Sequence, residues 1–143
     1  MTHMEKEFKK FELKTFQSRG YKLTPVEFKD IIPFEVKRTY FVREFEEGAQ
    51  TGEHCHKIEE EVFMQVKGES TAIIDYGKGK EDIRLSAPND AIYVPAYVWH
   101  GFKNPSPDCV IVALSSTNYN PSREDYIEDY EEFKRTSPYY AAR

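Results

Sequence analysis

Between residues 9 and 115 the apolar positions fall in short runs rich in Val, Ile, Phe, Tyr and Thr, broken by Gly, Pro, Asn and Asp. That pattern predicts strands joined by turns. The runs "KFEL", "TPVEF", "VKRTYFVREF", "GEHCH", "EVFMQVKG", "STAIIDY", "EDIRLS", "DAIYVP", "VWHGFKN" and "CVIVALSS" are the predicted strands. No helical run separates them, which favours a sandwich or small barrel over a parallel α/β sheet. "DYGKGKED" reads as a polar hairpin tip and "APND" as a tight turn. After "NPS" the period changes: "REDYIEDYEEFKRT" sets Tyr126, Tyr130 and Phe133 at i, i+4 and i+7, with acids early and Lys134 and Arg135 late. This predicts one C-terminal helix over about 122–136, packed on the β core by its aromatic stripe. Without repeat, low-complexity stretch or linker, residues 1–143 read as one domain with its β core at about 9–117.

Composition agrees: 143 residues, 39% hydrophobic and 15% aromatic, suffice for one globular domain with a core. The net charge of −5 is modest and the basic residues are interspersed with acids, so no positive stripe exists for nucleic acid. The first twenty residues are too charged for a signal peptide, and no later stretch has the apolar length of a membrane span. A cytoplasmic location is the expectation. Cys55 and Cys109 form neither a CxxC pair nor a bridge framework and are expected to be free thiols.

Three of the four histidines lie in two spaced stretches. From Gly48, five residues lead to His54, one separates His56, four more lead to Glu61 and six to Gly68. From Asn89, five residues lead to Pro95, then "AYVW", His100, and three more to Asn104. Alternate side chains of a strand share a face, so His54 and His56 point one way and Cys55 the other. Glu61, Phe63 and Gln65 share a face of the next strand, and His100, Phe102 and Asn104 one of a later strand. In a barrel this gathers three imidazoles and a carboxylate in one cavity. Glu59 and Glu60 are expected on a solvated turn, His3 in a loosely held N-terminus, Cys55 in packing, and Trp99 and Tyr97 in the core or at its rim.

The two spacings resemble the signature motifs of the cupin superfamily, with Asn89 and Tyr97 where glycines are usual, and imply an all-β cupin jelly roll carrying the C-terminal helix. "LTPVEFKDIIPFEVKRTYFV", "GEHCHK", "YVPAYVWHGF", "DCVIVALSSTNYN" and "EDYIEDYEEFKR" further resemble the nucleotide-sugar 3,4-ketoisomerases, the WxcM-like or FdtA-type family, over roughly residues 10 to 135. The resemblance implies an isomerase moving the carbonyl of dTDP-4-keto-6-deoxy-D-glucose from C4 to C3. Its product would feed a 3-aminotransferase making 3-amino-3,6-dideoxyhexoses of surface glycans or antibiotics. It also implies a homodimer with strand exchange at the N-terminus, and no metal.

Such chemistry removes a proton beside a ketone, passes through an enediol or enediolate, and returns a proton to the former carbonyl carbon, work suited to histidine. By position, His56 matches the family's leading base candidate, His54 its partner, and His100 a third histidine that polarises an oxygen or shuttles a proton. Arg38 and Tyr40, on one face of "KRTYFV", are candidates for holding sugar or diphosphate. Arg19, Gln65 and Lys57 complete the candidate substrate contacts, Arg19 and His100 leaning toward a galacto-configured product. Thr51 stands where the family commonly has Arg, so Arg43 or Lys57 would supply that grip. Glu61 stands where metal-free relatives usually carry Gln, and with it His54, His56, Glu61 and His100 form an N/O set suited to a divalent metal. A metal-dependent cupin isomerase or oxygenase and a non-catalytic sugar-binding cupin are therefore the alternatives. A nucleotide-sugar 3,5-epimerase is set aside because its His–Asp pair has no counterpart in the two motifs.

Overall fold

A computed structural model describes residues 6–141, and His3 lies outside the described residues. The strands are β1 (Lys9–Glu12), β2 (Phe16–Gln17), β3 (Lys22–Leu23), β4 (Arg38–Arg43), β5 (Cys55–His56), β6 (Glu61–Lys67), β7 (Glu69–Asp75), β8 (Glu81–Ser86), β9 (Asp90–Val94), β10 (Trp99–Lys103), β11 (Val110–Ser115) and β12 (Tyr126–Ile127). Helices are short: α1 (Phe28–Ile31), α2 (Tyr130–Thr136) and α3 (Pro138–Ala141).

One antiparallel sheet runs β1-β9-β6-β11-β4, facing β10-β7-β8. An isolated antiparallel bridge between His54 and His100 adds the β12-β5 pair to the edge of the second sheet. The result is the expected cupin jelly roll. Between the sheets lie Phe63, Ile74, Leu85, Ile92, Val98 and Ile111, all buried. The tight turn from β6 to β7 needs Gly68, whose φ of +66° lies in the left-handed region and whose missing Cβ would stand 2.2 Å from Ser106 Oγ.

The first five positions of β6 are all buried, which alternation alone would not give. Its outward residues Val62 and Met64 pack with Leu13, Ile32 and Leu114, because the segment before β4 crosses the back of this sheet. On the other side of the molecule, Cys55, Trp99, Ile127 and Phe133 form a third cluster beneath α2. Cys55 thus points away from the barrel interior, Trp99 belongs to the core, and both cysteines are free and buried. Tyr97, standing where a glycine is usual, takes a positive φ of 63°.

Three expectations need correction. "TPVEF" is not a strand, and its last residue begins α1, with Val26 packed on the back of the large sheet. The C-terminal helix begins only at Tyr130, where the Asp129 side chain accepts from Glu131 N and caps it. Tyr126 instead lies in β12, opposite His56. Lastly, Glu59 is no solvated turn residue: it is 4% exposed, and its Oε2 accepts from Arg38 Nη2 at 3.1 Å and Ser115 Oγ at 2.6 Å. Glu60 is half-buried, accepting from Lys6 and Tyr93. Among the described residues, no helix is long and apolar enough to cross a membrane.

Candidate active site

Alternation in β5 and the residue before it turns His54 and His56 inward, and their Nε2 atoms stand 3.1 Å apart. The bridge at His54 brings in His100 of β10, its ring centroid 4.7 Å from that of His54. Glu61, at the start of β6, completes the cluster: its Oε1 is 3.4 Å from both His56 Nε2 and His100 Nε2. Its other oxygen accepts from the Tyr40 hydroxyl, delivered by β4. Tyr126 closes the wall, its ring 4.4 Å from His56 and 5.0 Å from His54. His54, His56, Glu61, Tyr40 and Tyr126 line a cavity of about 240 Å³ together with Arg38, Glu59 and Tyr119.

The three rings are held in different ways. Nδ1 of His54 faces Gly52 O at 3.2 Å and Nδ1 of His100 faces Val98 O at 3.0 Å. A carbonyl only accepts, so both rings carry a proton on Nδ1; a neutral His54 then keeps its lone pair on Nε2, while His100 Nε2 faces the Glu61 carboxylate. His56 Nδ1 faces carboxylates instead, Asp125 Oδ2 at 3.2 Å and Glu59 Oε1 at 3.5 Å. Burial, followed by the neighbouring charges of His100 and His56, pushes the His54 pKa down to about 3. Burial also pulls on His56, but the hydrogen bond and charge of Glu61, then Glu59 and Asp125, outweigh it and raise its pKa. Glu61 follows the same logic: burial opposes its charge, and the hydrogen bonds of His100 and His56 overcome that and hold its pKa low. Burial, reinforced by Glu61, raises the Tyr40 hydroxyl far above its ordinary range. The cluster therefore favours the neutral form of one imidazole and the charged form of its neighbour, two groups of one type pushed apart by their surroundings.

Against known proteins, the family described as FdtA, WxcM-like, C-terminal matches residues 5–137. The chain belongs to this family. It is 35% identical over 122 residues to the TDP-4-oxo-6-deoxy-alpha-D-glucose-3,4-oxoisomerase of Aneurinibacillus thermoaerophilus, covering 85% of this chain and 86% of that one. The solved structure of WlaRB, a TDP-quinovose 3,4-ketoisomerase from Campylobacter jejuni, superimposes with a TM-score of 0.83 at 30% identity, covering 92% of this chain and all of that one (100%). QdtA, a sugar 3,4-ketoisomerase from Thermoanaerobacterium thermosaccharolyticum solved in complex with TDP, superimposes with the same TM-score of 0.83 at 25% identity, covering 94% and 96%.

In this FdtA family member the sequence candidates divide into two groups. His54, His56, Glu61, Arg38 and Tyr40 line the cavity, and His100 joins their cluster through Glu61 and His54. Gln65, Lys57 and Arg19 do not. Gln65 is inside the barrel, but Phe63 lies between it and Glu61 in β6, and its amide is used by Ser70, Cys109 and Lys67 O. Lys57 is exposed just after β5, and Arg19 is exposed in the turn joining β2 to β3. Arg43 lies at the exposed end of β4 against Glu44. Thr51 pairs with Phe102 through both backbone and side chain and extends the barrel wall. Arg38 is less available than a free guanidinium, since Glu59 pairs with it and the Tyr40 and Tyr119 rings flank it at 5.4 and 5.7 Å.

The sequence reading missed Glu59, Ser115, Tyr119, Asp125 and Tyr126. Tyr119 and Tyr126, with Asn118, Asn120 and Arg123, extend the cavity into an outer groove of about 210 Å³. One signal was present: "NYN" and "REDY" place aromatic, amide and guanidinium groups together just past the last long strand.

Proposed function

We infer that the protein is a nucleotide-sugar 3,4-ketoisomerase that converts dTDP-4-keto-6-deoxy-D-glucose to its 3-keto isomer. The observation that carries this is the pair His54–His56, with Nε2 atoms 3.1 Å apart inside a carboxylate-bearing cavity, where burial favours the neutral form of one ring and nearby carboxylates the charged form of the other. We assign the two roles the other way round from the positional expectation, because burial favours a neutral His54 and the carboxylates around His56 favour its charged form. A base has to be unprotonated before it acts, and that is His54; the acid is His56.

In the reading we favour, His54 Nε2 takes the proton from C3, and the C3–H electron pair becomes the C3=C4 bond. The C4 oxygen gains the negative charge and receives a proton from His56 Nε2. His56 Nε2, now unprotonated, then takes the O3 proton as the O3–H electron pair forms the C3 ketone, while the C3=C4 pair takes the proton held on His54 to C4. His56 Nε2 stands between two acceptors, His54 Nε2 at 3.1 Å and Glu61 Oε1 at 3.4 Å. Turning its proton toward Glu61 frees the His54 lone pair for C3. Tyr126 and Tyr40 supply flat and hydroxyl-bearing walls for the sugar. Arg38 and Arg123 at the outer groove suit the diphosphate, with Tyr119 offering a face for the base.

We also propose a homodimer that exchanges N-terminal strands, and a 3-aminotransferase as the pathway partner. A surface consistent with the dimer exists: Phe16, Tyr21 and Leu23 of the β2–β3 hairpin and Phe28 of α1 are all about half exposed or more.

One observation favours a second reading. With Nδ1 of His54 and of His100 committed to carbonyls, Nε2 is the atom that each ring turns toward His56 and Glu61, the orientation that metal-ligating histidines adopt. The donor set fits a divalent cation held by His54, His56, Glu61 and His100, which would polarise the ketone oxygen. The experiment is incubation with dTDP-4-keto-6-deoxyglucose and a 3-aminotransferase, with and without chelator. The expected result is the 3-amino sugar in both arms. No product beside an active control isomerase would refute the isomerase, and loss of product only with chelator would favour the metal.

A further inference from the structure

His56 presents an unusual arrangement on the side away from the cavity. Its Nδ1 is buried, lies 3.2 Å from Asp125 Oδ2 and 3.5 Å from Glu59 Oε1, and is aligned for a straight hydrogen bond to neither. A buried imidazole N–H without a partner is costly, so these carboxylates determine how the ring sits. They are not equivalent. Glu59 spends Oε2 on Arg38 and Ser115, and its Oε1 is the more distant atom. Asp125 is nearer, and it is anchored to the chain that carries His56: its carbonyl accepts from Lys57 N at 2.9 Å, its Oδ1 from Ile58 N at 2.6 Å and its Oδ2 from Glu59 N at 3.2 Å. Three successive N–H groups after His56 therefore end on one residue. The pairing of Tyr126 with His56 and of Ile127 with Cys55 continues the same grip, and buried Ile127 secures it in the outer cluster.

We propose that Asp125, which lies outside both histidine motifs, is a positioning residue for the isomerase: it braces His56 through Nδ1 and through the turn that follows, so that Nε2 is aimed at His54 and the substrate oxygen. The proposal rests on the ketoisomerase reading. When His56 gives its Nε2 proton to the substrate oxygen, the N–H electron pair stays on Nε2, and the remaining Nδ1–H stays against the Asp125 carboxylate. The neutral ring is thereby kept in the one tautomer that can take the proton back at Nε2. The segment after the last long strand thus belongs to the catalytic apparatus and is more than a cover for it.

Asp125→Asn tests this, because asparagine retains the backbone acceptor and an oxygen for Ile58 N while removing the anion. The expected result is a fall in kcat of roughly 10- to 100-fold, as for other carboxylates behind a working imidazole. KM should stay within about twofold and the melting temperature within about 2 °C, less than a lost buried contact would move it. Glu59→Gln should cost kcat clearly less. Wild-type kcat in Asp125→Asn, a rise in KM alone, a kcat loss that merely follows lost stability, or a larger effect at Glu59 would each overturn the brace. A second readout needs neither variant nor substrate: ¹⁵N spectra of His56 in the wild-type protein should show a protonated Nδ1, and a bare Nδ1 overturns the proposal. If the wild-type protein does not isomerise the sugar, the functional reading fails while the spectra still decide the brace.

Discussion

Glu61 and Gln65 lie on the same face of β6, two ends of one barrel interior, yet their surroundings have little in common. Gln65 is fully buried with its hydrogen-bonding groups paired: Nε2 donates to Lys67 O and Cys109 Sγ, and Oε1 accepts from Ser70 Oγ at 2.6 Å. No ionisable carboxylate or imidazole takes part. Glu61, beyond Phe63, is equally buried but meets two imidazoles and a tyrosine, with two of the nearby ring nitrogens lacking a straight partner. A satisfied neutral network is rigid and chemically inert, whereas a crowded charged one holds protons that have more than one place to go. The barrel keeps these two kinds of polarity apart with the Phe63 ring, which packs on Phe102 at 5.0 Å and on His100 at 5.8 Å.

The largest expected effect comes from breaking the charged end. His54→Asn and His56→Asn should each lower kcat by at least about 10³-fold, within the range for loss of a positioned base or acid. Hydrogen exchange separates them. In D2O, His56→Asn should still wash deuterium slowly into C3 of the substrate, since its base remains, while His54→Asn should not. Wash-in retained by His54→Asn and abolished in His56→Asn would restore His56 as the base.

A smaller effect, about tenfold in kcat above neutral pH, is expected for Glu61→Gln. In the wild type the His56 pKa is raised, so the acid form persists above the ordinary histidine value of about 6.5 and activity falls only as pH rises through the raised value. Removing the Glu61 charge lowers that value and should move the alkaline limb of kcat/KM to lower pH. His54, held down to about 3, contributes no acidic limb near neutrality in either protein. Stability should change little, because an isosteric amide also relieves the cost of a buried carboxylate. An unmoved alkaline limb would detach His56 from Glu61, and loss of bound metal together with all activity would favour the cation reading.

How much of this was legible in the sequence depends on the distance between partners. His54, His56, Glu61 and His100 were readable because two-residue alternation and motif spacing are local, and the long strands β6 to β11 followed for the same reason. Glu59 was misread because a run of three glutamates resembles a solvated turn; the groups that bury it, Arg38 and Ser115, are 21 and 56 residues away. Tyr126 was misread because its spacing to Tyr130 and Phe133 is helical, and a two-residue strand carries no period of its own. Its place beside His56 is a tertiary pairing across about seventy residues of chain. Gln65 shows the opposite error: alternation placed it inside the barrel correctly, but the sequence does not say which end of an interior is open.

The smallest effect tests that last point. Gln65→Leu keeps roughly the side-chain volume but leaves the Ser70 hydroxyl, 1% exposed, and the Lys67 carbonyl without their partner. Stranding buried polar groups costs about 1–3 kcal/mol, a drop in melting temperature of several degrees for a chain of this size. Turnover at permissive temperature should stay within about twofold, because Phe63 and its neighbours insulate the histidines. Adding Ser70→Ala should recover much of the lost stability, since replacing both partners by apolar groups removes the unsatisfied hydroxyl. If instead Gln65→Leu lowered kcat without lowering stability, the two ends of the barrel would be coupled, and Gln65 would regain the substrate role that its sealed position argues against.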